Sequence, residues 1–149
     1  MKPTNILQLI RIFVLVGWIF GVVAYALRIQ IQFYLQVPLN LFVATLSMTV
    51  AIGSWTLLAR KRIAGPERTF TAIQSARTAA LALAGSRTGT IISGGAFGLA
   101  VSYVLAPATQ ANTERIQILS LTLISALLLV IVSLWLERIC RIPDSQDDK

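Results

Sequence analysis

Residues 116–136 read IQILSLTLISALLLVIVSLWL. The run holds no charge and is flanked by Arg115 and Glu137. A spanning helix needs about 20 apolar residues, since each adds about 1.5 Å against a hydrocarbon core of about 30 Å. The stretch therefore predicts a transmembrane helix. A second uncharged run fills 39–59, with Pro38 just before it, where a missing N–H costs little. A third span covers 86–106 and is closed by Pro107, with a helical lead-in from about 69. The first span, about 7–27, includes Arg11, whose long side chain can snorkel toward the headgroups.

The whole-chain arithmetic agrees. The chain has 149 residues, 56% hydrophobic and 13% charged, with a mean hydropathy of +0.74. A soluble domain averages about 45–50% apolar and about 25% charged. The expectation is a single all-α membrane domain over 1–149, a bundle of four transmembrane helices.

The first span has a competing reading. Lys2 and Arg11 form a basic start, an apolar run follows, and Ala24-Tyr25-Ala26 has the shape of a signal-peptide cleavage site. Gly17 and Gly21 suit a retained, packed helix, which is the preferred reading.

Absent residues narrow the chemistry. There is no histidine, and Cys140 is the single cysteine. The acidic residues Glu67, Glu114, Glu137, Asp144, Asp147 and Asp148 lie outside the most apolar stretches. The chain cannot assemble a zinc site, a histidine-dependent nucleophile or a buried carboxylate relay from its own residues. No phosphate-binding glycine loop appears. The reading is of a protein that is not an enzyme and holds no cofactor and no metal.

Lysine and arginine placement gives an orientation. Lys2 and Arg11, then Arg60, Lys61, Arg62, Arg68 and Arg77, then Arg138, Arg141 and Lys149 fall on one side. Only Arg28 and Arg115 fall on the other, which is ten against two with Arg87 set aside. The positive-inside rule puts both termini in the cytoplasm. Residues 60–68 then form a basic cytoplasmic loop, and 144–149 a short mobile tail. Tyr25, Phe33, Tyr34 and Tyr103 mark the outer interface, and Trp55 and Trp135 the inner one.

Residues 28–37 alternate apolar and polar with a strand's period, from Ile29 to Val37. A lone strand has no partner. The preferred reading is an outer loop in the headgroup zone; a ligand-contacting hairpin is the other.

The third span carries the most polar detail. Its alanine-rich lead-in favours one continuous helix, with a break at Gly85 as the alternative. Arg87 is the one charge that could enter the bilayer, where an arginine costs about 2.5–3.5 kcal/mol at the centre. A boundary arginine is the preferred reading. The other has Arg87, with Thr90, as a polar contact for an anion. Thr90, Gly94, Gly98 and Ser102 recur every fourth residue, and Gly17 and Gly21 share that spacing in the first span. Such faces let helix backbones approach closely. They imply packing within the bundle, or else self-association or docking on another membrane protein. The fourth span, rich in Leu, Ile and Val, reads as lipid-facing.

The run Arg60-Lys61-Arg62 is first a topology signal. It also attracts anionic lipid, at about 1 kcal/mol per charge. The net charge of +7 does not indicate nucleic acid, because no reading motif accompanies it. Cys140 reads as a plain structural thiol at the inner boundary.

Two ends of the chain resemble a known family. Met1-Lys2-Pro3-Thr4 and the run from Leu134 through Trp135, Glu137, Arg138, Cys140 and Arg141 to Pro143 are similar to an uncharacterised actinobacterial membrane family, domain of unknown function 3180. Ser75-Ala76-Arg77 and the stretch 94–103 are also similar. That family often has two adjacent cysteines near the end, and Ile139 stands in place of the first. Its outer loop tends to be proline-rich, unlike 28–37 here. The resemblance implies a multi-pass protein of the bacterial inner membrane, with a link to folate biosynthesis through neighbouring genes and no catalytic residue to carry over. The leading functional expectation is an accessory or scaffold subunit that binds another membrane component. The alternative is a small transporter or channel for an anionic solute, with Arg87, Thr88, Thr90, Ser93 and Ser102 along a polar path.

Overall fold

The computed structural model describes residues 5–31, 38–64, 72–107 and 109–140. They form four helices: α1 (Ile6–Ile31), α2 (Leu39–Ala64), α3 (Ala72–Val104) and α4 (Gln110–Cys140). No strand occurs among the described residues. Three helices are long and apolar enough to cross a membrane, over Ile6–Gln30, Leu39–Leu58 and Gln110–Ile139. α3 is less clearly apolar, because glycine, serine, threonine and two arginines interrupt it.

Helix ends follow local chemistry. The Asn5 backbone carbonyl accepts the Gln8 and Leu9 amides at the start of α1. Thr109 precedes α4 and its Oγ1 accepts the Asn112 amide at 3.4 Å. The Asn112 Nδ2 donates to the Pro107 carbonyl at 2.9 Å, tying the α3–α4 connection to the new helix. α2 continues to Ala64, so Arg60, Lys61 and Arg62 lie on its last turns rather than opening a loop. Arginine and lysine are good helix formers, and the stop signal in the sequence, Gly65-Pro66, comes later. α3 runs unbroken through Gly85. Residues 28–31 of the alternating segment are the last turn of α1, while 32–37, 65–71 and 141–149 lie outside the described residues.

The helices pack in the order α1–α3–α4–α2. Among the described residues the α1 backbone comes close to α3 alone, and the α2 backbone to α4 alone. This is an open row, not a closed bundle in which α1 and α2 would meet. Neighbour pairings give the directions. Gly17 and Gly21 of α1 meet Gly94 and Gly98 of α3, so these helices are parallel. Gly85 and Gly89 of α3 meet Ser133 and Val130 of α4, which is antiparallel. Thr49 and Gly53 of α2 meet Ser125 and Val132 of α4, which is parallel.

α4 leaves Leu121, Ile124, Leu128 and Ile131 exposed, as its Leu, Ile and Val content suggests, but its other face is central. It sits between α3 and α2 and buries Leu119, Ala126, Leu129 and Leu136 completely. Thr122, Ser125 and Ser133 are buried beside them, and these small residues are what let it take a central place. α1 is the more exposed helix: 11% of its apolar window is buried against 33% for α4. Two apolar clusters hold the row. Ile52, Ala82, Leu129 and Leu136 join α2, α3 and α4, and Ala96, Tyr103 and Leu119 join α3 to α4. Trp18, Ile6, Leu7, Val14 and Val50 stand well exposed, an apolar surface suited to lipid.

Candidate functional site

The α1–α3 crossing is built from glycine. A Cβ placed on Gly94 would lie 2.7 Å from the Phe13 carbonyl oxygen, and one on Gly17 would lie 3.1 Å from the Gly94 oxygen. A Cβ on Gly98 would overlap the Gly17 carbonyl outright. Two glycine pairs, each with a four-residue step, thus interlock backbone on backbone, the contact that lipid cannot supply. The Phe13 and Phe97 rings close one side, with centroids 5.7 Å apart.

The missing side chains leave an apolar groove of about 440 Å³ on this crossing. Gly17, Gly21 and Gly98 line it, together with the larger Trp18, Phe97 and Leu105. Ser102 also lines it, near the ends of α1 and α3.

Arg28 stands at that end. Its guanidinium donates to the Ser102 carbonyl at 3.0 Å and to the Leu105 carbonyl at 3.4 Å. Ser102 is in the last turn of α3 and Leu105 follows directly after it, where helical partners run out. The Ala106 amide turns to Tyr103 instead, and Arg28 supplies the missing donor to Ser102. A cation there also complements the negative end of the helix dipole. The guanidinium lies 5.4 Å from the Tyr25 ring centroid, within cation–π range. Arg115 lies 5.7 Å from the Tyr103 ring centroid in the same part of the row. Sequence reading used Arg28 only as a topology mark. The spacing of Tyr25 and Arg28, one helical turn apart, was the signal available.

Arg87 and Thr90 do not share a cavity. Arg87 is exposed, whereas Thr90 is buried and donates its hydroxyl to the Ser86 carbonyl at 2.7 Å. Gly94 lies level with residues 13–17 of α1, so Arg87, about 10 Å further back, is level with the first turns of that helix. Arg11 is exposed there too. Four other buried hydroxyls behave like Thr90. Ser93 donates to Thr90, Thr56 to Ile52, Thr122 to Ile118 and Ser125 to Thr122, each on its own helix. Thr49 donates to Thr45 and also across to the Ser125 carbonyl at 3.2 Å. Among the described residues the Ser133 Oγ is buried with no hydrogen-bond partner. The side chains of Arg60, Lys61, Arg62 and Cys140 lie outside the described residues. Among the described residues no three metal-binding side chains converge.

A family model, a protein of unknown function (DUF3180), matches residues 11–144. No curated protein matches the chain. No solved structure matches it either.

Proposed function

The chain belongs to the DUF3180 family of proteins of unknown function, and from that premise we propose a multi-pass inner-membrane protein that acts by binding another membrane component. It is an accessory or scaffold subunit with no catalytic step of its own. α3 crosses the bilayer beside the three more apolar helices, and both termini lie in the cytoplasm, as the ten-to-two distribution of basic residues directs.

One observation carries this reading. Thr56, Thr90, Ser93 and Thr122, inside the row, donate to their own helix backbones, while the side chains of α1 away from α3 are largely exposed. A solute path would need hydroxyls and a charge turned toward shared space. Thr90 and Ser93 are instead bonded within α3, and Arg87 points out of the row. The surfaces are what the molecule has to offer, and α1 is the least buried of the three most apolar helices.

Copurification from native membranes in mild detergent tests this, with intact mass recorded on the same sample. A stoichiometric membrane partner is the expected result. A chain recovered alone that carries anionic solute into liposomes, and stops doing so on Arg87→Ala, would overturn it.

A further inference from the structure

The groove on the α1–α3 crossing differs at its two ends. It is apolar along its length, yet at one end the Arg28 guanidinium bonds to the carbonyls of the lining residues Ser102 and Leu105. On α1 it reaches from Phe13 to Tyr25, about 18 Å of helix, and on α3 from Phe97 to Leu105, about 12 Å. One leaflet of a hydrocarbon core about 30 Å thick is about 15 Å deep. A partner helix would demand a channel along the whole of α1. This groove stops part-way, as one leaflet's acyl chain does.

Arg28 fixes the headgroup end. It is half-buried and meets two carbonyls and an aromatic ring, and no carboxylate pairs with it among the described residues. A guanidinium has five N–H donors, so its two carbonyl bonds leave donors for a phosphate. Its charge is only partly offset by the helix-end dipole.

We infer that this groove is a binding site for an anionic phospholipid, one acyl chain lying over Gly17, Gly21 and Gly98 and the phosphate held by Arg28. The inference rests on α1 and α3 both spanning the bilayer and is independent of which protein partner is bound. A filled groove would brace the crossing at the point where glycine leaves it thinnest.

Native mass spectrometry of the full chain in mild detergent tests it, with equal amounts of phosphatidylglycerol and phosphatidylcholine of matched chains. One phosphatidylglycerol per chain should be retained, about tenfold over phosphatidylcholine, whose choline cation offsets the phosphate charge that Arg28 meets. Arg28→Gln should erase that preference and Arg28→Lys should keep it. Val101→Trp, at an exposed groove-lining position, should lower retention of both lipids. Equal retention of the two lipids by wild type and Arg28→Gln overturns the site. So does a lipid-free dimer that Val101→Trp dissociates, because the occupant is then a second copy. Should Arg28→Gln lose helix content, Val101→Trp decides alone, and unchanged lipid retention overturns the site. Alkaline extraction of membranes keeps the two levels apart: a chain that washes off refutes the spanning reading, whereas one that stays but holds no lipid refutes only this site.

Discussion

Gly98 and Gly17 meet so closely that the position of a Cβ on Gly98 is already taken by the Gly17 carbonyl. Adding even a methyl group must push α1 away from α3. Overpacking of this kind costs about 1–3 kcal/mol. Gly98→Ala should lower the unfolding midpoint in detergent. Gly53→Ala is the control, since a Cβ there meets only Val132 at 3.9 Å. Alanine gains up to about 1 kcal/mol of helix propensity over glycine, so that variant should be neutral or more stable.

Ser133 and Gly85 form a crowded polar contact between α3 and α4. Among the described residues the Ser133 Oγ is buried without a partner, and a Cβ on Gly85 would lie 2.5 Å from it. An unsatisfied buried hydroxyl costs about 1–3 kcal/mol. Ser133→Ala should therefore leave stability unchanged or raise it. Gly85→Ala should destabilise the wild type and do so less in the Ser133→Ala background. A double-mutant cycle in detergent unfolding reads the coupling. Additive effects would show that the two positions do not touch.

Thr109 caps α4 through the Asn112 amide, and Asn112 holds the Pro107 carbonyl. Thr109→Ala should cost about 1 kcal/mol. Asn112→Ala should cost at least as much, because Asn112 is buried and the connection loses its tie. Hydrogen exchange at residues 110–113 should rise in both variants, with the rest of α4 little changed.

Cys140 provides a native orientation probe at the end of α4. In intact cells an impermeant maleimide should miss it and label it only after lysis. In a Cys140→Ser background, Thr113→Cys should label in intact cells. The reverse pattern would invert the membrane orientation.

Much of the helical framework was legible in the sequence. Apolar runs of spanning length marked α1, α2 and α4, and the alanine-rich lead-in carried α3 through Gly85. The packing order was not. Leu and Ile dominate 116–136, and composition alone sends such a helix to the lipid. Thr122, Ser125 and Ser133 hold it in the centre, a signal that becomes clear only once their buried face is seen. Arg28 was hidden for a related reason. Its partners are carbonyls of Ser102 and Leu105, and backbone acceptors leave no mark in a sequence. The extent of α2 was missed because a basic run reads as a membrane boundary, although lysine and arginine extend a helix readily.

α1 ends the row with its exposed flank available to another membrane component. Cysteine cross-linking in native membranes, in a Cys140→Ser background, tests that arrangement most directly. Phe13→Cys with Phe97→Cys reports the α1–α3 contact, where the rings lie 5.7 Å apart. Ile19→Cys with Val43→Cys reports α1 against α2, at exposed positions level with one another by the glycine and threonine pairings. Efficient cross-linking of the first pair and none within a chain for the second is the predicted result. Intrachain cross-linking of the second pair would close the row into a bundle, cover the flank of α1 and contradict the account.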